Sequence, residues 1–305
     1  MSKPEFCIVG AGVVGTAVAT LLTAKGYPLV GVASRSLPTA QKLAQLVGDT
    51  SKAKQKKSPI SIKISQQPWE VTEGAKLVFI TTPDKAINQV CGDIQAHHGF
   101  APGTIVIHMS GALTSDSLQP AKVAGTQVLS LHPLQSFARV EEAITNLPGS
   151  VFTLEGDQQA EAVGFTVIND LGGQGFVISK DNKALYHGAA VIAANYLVSL
   201  AHLSTGILES IGIPREKGVA ALIPLMQGVL KNIQALGPAK ALTGPIARGD
   251  SETIERHIQC LAELPKEHLQ LYRALGAYTV KVALEKGSID QQTAGNLLAV
   301  LKKEE

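Results

Sequence analysis

Four side chains able to hold or move a proton stand along one apolar stretch of this 305-residue sequence: Lys183, Tyr186, His187 and Asn195. If the stretch is helical, each residue advances about 100° and 1.5 Å. Lys183 and His187 then share a face one turn apart, while Asn195 lies two turns beyond His187 and roughly 80° around the axis. His187 and Asn195 cannot both grip one small atom, but they can touch different parts of a larger ligand. Histidine ordinarily titrates near neutrality, which suits proton transfer. A polar helix start packing against a neighbouring domain explains the same residues, and both readings stay open. A second group, Leu242-Thr243-Gly244-Pro245-Ile246-Ala247-Arg248-Gly249-Asp250, sets an arginine just after a Gly-Pro turn. Arg248 offers the two-pronged donor geometry that carboxylate recognition uses, although a surface arginine beside a structural turn is equally consistent. Asp250 suits the N-cap of the next helix. His108 and His132 end consecutive β-rich runs, where they would line a cleft or serve as satisfied structural histidines.

Phosphate chemistry is written at the other end of the chain. Gly10-Ala11-Gly12-Val13-Val14-Gly15 follows the apolar run Phe6–Val9 and opens the helical pattern Val13–Ala24. In that setting a GxGxxG loop implies a dinucleotide site. The first glycine permits the turn, the second admits a pyrophosphate to the backbone, and the third lets helix pack on strand. The helix start then presents N–H groups and partial positive charge to the phosphates. An acid at the end of the second strand would hold the ribose 2′-hydroxyl of NAD. Here the residues are Ser34-Arg35-Ser36. Arg35 can pair with a 2′-phosphate, so NADP(H) is the expected cofactor, although stacking of Arg35 on adenine would also tolerate NAD. Thr81, Thr82 and Pro83 end the fourth strand and Ser110 follows the fifth, and all face the same crevice. Loop and cap duties explain them as well; Asp84 suits the cap of the following helix.

These side chains need elements to carry them. Strands are expected at Phe6–Val9, Leu29–Ala33, 61–64, Leu77–Ile80, 104–108, 127–131, 151–154 and 176–178, with helices at Val13–Ala24, 38–47, 85–97 and Gln158–Leu171. That alternation implies a doubly wound parallel sheet, an α/β Rossmann-like domain over 1–180. Residues 48–60, with the basic run Lys52–Lys57, read as a polar, solvated loop. From 181 to 305 only helices are expected, near 182–211, 215–234, 251–262, 265–286 and 289–302. The helix at 182–211 is apolar on nearly every side. It should therefore be surrounded by other helices, and a homodimer built through the C-terminal helices is expected.

Composition narrows the class. With 45% hydrophobic and 17% charged residues the chain is globular rather than disordered. A net charge of +2 disfavours nucleic acid as a partner. Cys7, Cys91 and Cys260 show neither disulfide nor metal-ligand spacing and read as small buried hydrophobes. No signal-peptide pattern precedes the first strand, and no uninterrupted apolar run reaches the ~18 residues of a membrane span. A cytoplasmic protein with a small-molecule substrate and no membrane partner is expected.

Taken together, the glycine loop, Ser34-Arg35-Ser36, the HPLQSF segment from His132, the YHGAAVIAANY segment from Tyr186 and LTGPIARGD from Leu242 resemble one family. It joins a Rossmann-like NADP-binding domain to a helical domain of unknown function (2520 type). It is similar to the group that includes ketopantoate reductase, pyrroline-5-carboxylate reductase and 6-phosphogluconate dehydrogenase. The resemblance implies an NADPH-dependent oxidoreductase acting on a small 2-oxo or imino acid, with ketopantoate the first substrate to test. Asn195 would position the substrate and Arg248 would bind its carboxylate. Ketopantoate reductase-like proteins carry a catalytic lysine at the start of this helix, with asparagines four and eight positions on. Anchoring on Asn195 puts His187 in the lysine's place. Anchoring on Lys183 puts His187 at the first asparagine and Val191 at the second. Neither register reproduces the whole pattern, so His187 and Lys183 stand as rival proton donors. An NADP(H)-binding sensor or scaffold without turnover is the alternative.

Overall fold

The computed structural model describes residues 3–54 and 61–303. Among the described residues, eight strands form one sheet: β1 (Phe6–Val9), β2 (Leu29–Ala33), β3 (Lys63–Ser65), β4 (Leu77–Ile80), β5 (Ile105–His108), β6 (Gln127–Pro133), β7 (Val151–Gly156) and β8 (Gln174–Val177). Their order is β3-β2-β1-β4-β5-β6-β7-β8, so chain direction along the sheet reverses between β1 and β4. In such sheets ligands sit at that switch point, beyond the strands' carboxyl ends. All pairs are parallel except β6 with β7. The wholly parallel expectation is corrected there, and α6 (Val140–Asn146), missed in the sequence, lies in the link between the two antiparallel strands.

Both sheet faces are covered, as buried parallel strands require. Phe6 and Ile8 of β1 join Phe79, Ile107, Leu129 and Phe152 on one face, against α1 (Val13–Ala24) and α7 (Gln158–Leu171). Cys7 and Val9 point the other way, toward Ile87, Cys91 and Ile94 of α4 (Asp84–Ala96). Helix α2 (Leu37–Lys54) runs past the expected end at 47, so the start of the basic run is helical. The rest of the expected loop, 55–60, lies outside the described residues. Strands β3 and β8 each sit about two residues from where sequence placed them, because short edge strands carry little periodicity.

Two compact units divide the chain, Met1–Asn195 and Tyr196–Glu305. The division falls inside α8 (Lys183–Ser210), whose first turns belong with the sheet. The second unit is helical among its described residues: the rest of α8, then α9 (Arg215–Leu236), α10 (Pro238–Ala241), α11 (Pro245–Arg248), α12 (Ser251–Ala262), α13 (Lys266–Lys286) and α14 (Gln291–Lys302). Its core is Ile246, Ile254, Val280, Ala283, Ala294, Leu297 and Leu301. Asp250 caps α12 by accepting from the Thr253 N–H at 3.0 Å.

One expectation is corrected by exposure, that all three cysteines are buried. Cys7 and Cys91 are buried, but Cys260 is exposed on α12. Helix α8 is not enclosed within its own chain: Leu185, Ile192 and Val198 are exposed, as are Leu225 and Leu230 of α9. By length and mean hydropathy, segments Lys180–Ser210 (31 residues, 1.5) and Arg215–Leu236 (22 residues, 1.3) are both long and apolar enough to cross a bilayer. Neither is an unbroken apolar run, because polar residues such as Asn195, Ser199 and His202 in α8 and Gln227 and Lys231 in α9 interrupt them.

Candidate active site

Gly10 closes the turn after β1 at φ +113, a region L side chains rarely adopt. A Cβ there would also stand 2.7 Å from the backbone of Thr81 and Thr82. At Gly15 a Cβ would lie 2.3 Å from the Gly10 carbonyl oxygen, so this glycine lets α1 seat against the loop. Gly12 has open space where its side chain would be, and it caps α1 without a side-chain acceptor. Gly10 and Gly15 thus serve the turn and the helix packing that their spacing implied, and Gly12 leaves its backbone open.

A cavity of about 320 Å³ opens here at the switch point. Gly10, Ala11, Gly12, Ser34, Arg35, Thr81, Thr82 and Pro83 line it. Val13, Val14, Gly15, Ser36 and Ser110 do not. Ser36 instead accepts from Thr39 Oγ1 at 2.9 Å, at the start of α2. Gln66 and Thr39 also line the cavity and were missed; Gln66 Nε2 donates to the Arg35 carbonyl at 2.7 Å. Its position just past β3 was the available signal. The chamber fits a phosphorylated dinucleotide: open backbone at Gly12, a cation at Arg35, and a buried Thr82 hydroxyl with no hydrogen-bond partner among the described residues.

From Pro83 the strand ends carry the site onward. Asp84 was expected as a cap but is the first residue of α4, and it accepts from Ser110 Oγ at 2.8 Å. Ser110 Oγ in turn accepts from the N–H groups of Ala112 and Leu113, at 3.2 and 3.1 Å, which braces the loop after β5. His108 is committed to the same loop. Its Nδ1 accepts from the Ser110 N–H, leaving Nε2 to donate to the Thr114 carbonyl, both at 3.1 Å. Burial holds its pKa down at about 4.

Next comes Gly111, against which two imidazoles pack. A Cβ there would stand 2.7 Å from His132 Nε2 and 2.8 Å from His187 Nδ1. His132, in the last turn of pairing of β6, also meets Tyr186 Oη at 2.8 Å through Nδ1. Burial first, then the nearby Lys183, His187 and His108, pushes the His132 pKa down to about 4. Burial raises that of Tyr186. Lys183, 1% exposed, donates to Ser130 Oγ at 2.5 Å. Burial lowers its pKa to about 8, against the opposing pull of Glu155 and Asp84. Glu155, opposite Ser130 in the β6–β7 register, is itself buried and accepts from the N–H and hydroxyl of Ser115, both at 2.7 Å. Lys183 and His187 are therefore brought to the strand ends. Asn195 is exposed further along α8, and Arg248 is exposed at the end of α11 in the second unit. Ser130 and Glu155, polar residues inside apolar strands, were the missed signals.

Comparison with known proteins agrees with this architecture. Residues 2–133 match the description of a Rossmann-like domain, and 150–279 match a domain of unknown function, DUF2520. The chain joins these two domains, the pairing its motifs implied. No curated protein matches the sequence. Among solved structures, a candidate NADP oxidoreductase from Bacteroides fragilis is 22% identical, with TM-score 0.72, covering 92% of this chain and 99% of that one. A Thermotoga maritima protein is 26% identical, with TM-score 0.71 and the same coverages. Pyrroline carboxylate reductase from Plasmodium falciparum, solved with NADP bound, shares the fold at 11% identity and TM-score 0.57, covering 98% and 99%.

Proposed function

We propose that this protein is an NADPH-dependent reductase of a small 2-oxo or imino acid, with His187 as the proton donor. The observation that carries the reading is continuity. The wall of the dinucleotide cavity at Thr82-Pro83 runs through Asp84 and Ser110 to Gly111, where His132 and His187 pack. Bound reduced nicotinamide supplies the hydride. The protein's own task is then to deliver a proton to the substrate's oxygen or nitrogen and to hold the substrate in place. His187 is partly exposed on the first turns of α8, whereas Lys183 is sealed against Ser130, which favours His187 for direct contact. Asn195 is proposed to orient the substrate. Arg248 is proposed for its carboxylate on chemical grounds, as an exposed guanidinium on a short braced turn. Residues 1–180 would bind the cofactor and 181–305 the substrate and a second subunit.

Similarity to proteins named as pyrroline carboxylate and imine reductases gives C=N substrates equal standing with ketopantoate. The test is a panel of 2-oxo acids and cyclic imino acids, followed by loss of reduced-nicotinamide absorbance. Cofactor binding without turnover across the panel would sink the reductase reading and favour a sensor. Amide analogues turned over as well as the acids would remove the role of Arg248.

Titration should show tighter binding of NADPH than of NADH, because Arg35 lines the cavity and no acid stands beside it. Losing a charge-assisted contact in Arg35→Ala is expected to weaken NADPH by about 1.5–3 kcal/mol and to leave NADH nearly unchanged. Equal affinities for the two cofactors in the wild type would contradict this.

The exposed apolar residues of α8 and α9 are proposed to bury against a second copy of the chain. Light scattering at micromolar concentration should then report a dimer without detergent. A monodisperse monomer there would refute the dimer, and recovery only with membranes would favour a bilayer as the cover.

A further inference from the structure

We infer that Gln66 is a positioning residue for Arg35: its side-chain amide pins the backbone from which the guanidinium reaches a 2′-phosphate, and so sets the preference for NADPH over NADH. The inference deepens the cofactor reading above and rests on it. Gln66 Nε2 donates to the Arg35 carbonyl at 2.7 Å, and both residues line the dinucleotide cavity. A carbonyl oxygen only accepts, so the amide must turn its NH2 group toward it. The bond joins residues 31 positions apart, across the loops that follow β2 and β3.

Gln66 stands on a braced turn. Ser65, 7% exposed, donates through Oγ to Glu70 Oε2 at 2.6 Å and accepts there from the Gln67 N–H at 2.9 Å. The Ser65 carbonyl accepts from the Ser34 N–H at 3.1 Å, which continues the β2–β3 ladder past Ala33. The Arg35 loop is thus held to the end of β3 at two successive residues, by the backbone at Ser34 and by Gln66 at Arg35. The Ser36 N–H reaches Ser34 Oγ at 3.4 Å, and Thr39 Oγ1 donates to Ser36 Oγ at 2.9 Å, so the hydroxyls on either side of Arg35 are engaged locally. The guanidinium itself ends a long, exposed side chain, whose ordering on a ligand is entropically unfavourable. Fixing the point from which that side chain starts removes part of the penalty before the ligand arrives. NADH has a hydroxyl where NADPH has the 2′-phosphate, so it gains little from Arg35 or from whatever holds Arg35 in place.

The test is calorimetric titration of the full-length protein with NADPH, NADH, adenosine 2′,5′-bisphosphate and AMP. Gln66→Met keeps the side chain's length and removes its donor. It should weaken NADPH and the bisphosphate about two- to tenfold, the scale of one hydrogen bond between neutral groups, and leave NADH and AMP unchanged. Gln66→Glu sets a carboxylate beside the phosphate and should weaken the same two ligands by about tenfold or more. The decisive arm is a double-mutant cycle: added to Arg35→Ala, Gln66→Met should have no further effect, because a residue acting through Arg35 has nothing left to act on. Equal losses for NADPH and NADH, or a full effect retained on Arg35→Ala, would overturn the inference by giving Gln66 a ligand contact of its own. Unchanged NADPH affinity in Gln66→Met, in a protein that prefers NADPH, would overturn it as well. Equal wild-type affinities for NADPH and NADH would instead overturn the cofactor reading, so the two failures are separable.

Discussion

Replacing His187 with glutamine is expected to lower turnover by about 10²–10⁴-fold, the usual contribution of a positioned acid. NADPH affinity should stay close to wild type, because His187 is not among the residues that line the dinucleotide cavity. The fold should also survive, since His187 is only partly buried on α8 and its Nδ1 has no hydrogen-bond partner among the described residues. Glutamine keeps a polar tip of similar reach but cannot take up or release a proton near neutrality. A drop in kcat with KM little changed is therefore the expected signature of a group acting in the transition state. Wild-type turnover in the variant would remove His187 from the chemistry.

How legible this site was in the sequence depends on how local each signal is. The glycine loop needs only its own neighbours to be recognised: Gly10 turns the chain after β1, and Gly15 lets α1 seat against that turn. Strand ends were legible for a related reason, because a parallel sheet places all its ligand-facing loops on one edge. Arg35 and Thr81 could thus be assigned before any coordinates, as Gln66 could have been. Pairings made across the sheet were not legible. Nothing in the sequence tells Ser130 that it will meet Lys183 across 53 positions, or Glu155 that it will hold Ser115. Helix geometry put Lys183 and His187 on one face correctly but not their separate fates, one sealed by its first-turn burial and the other open. The antiparallel β7 was missed because a strand's direction is set by its connection, and α6 is too short to show clear periodicity. The cover of α8 is legible only in part: an apolar surface shows that something must bury it, not which chain does so.

Lys183 offers the other large effect, and it separates chemistry from stability. Its ammonium is buried against Ser130, and that burial lowers its pKa from 10.5 to about 8. Between those two values the unfolded chain still holds the proton while the folded one has released it. Stability from this group therefore rises with pH across that window, and below about 8 the full cost of the buried charge is present. The shift corresponds to about 3 kcal/mol, as an order of magnitude. Lys183→Met removes the charge at similar volume. Measured by denaturation, the stability of the variant relative to wild type should decline steadily as pH rises from about 8 to 10.5, because only the wild type gains there. A difference independent of pH would show that Lys183 is not desolvated as the structure has it. Turnover in the same variant should drop about ten- to hundredfold, as the strand-end charge that Ser130 and Glu155 hold beside His132 is lost. That loss should remain smaller than in His187→Gln. A larger loss, together with a wild-type rate that falls as pH rises through about 8, would make Lys183 the donor and leave His187 to orient the substrate. A protein that keeps a buried cation at this cost, where an apolar residue would fit, is retaining it for something other than its fold.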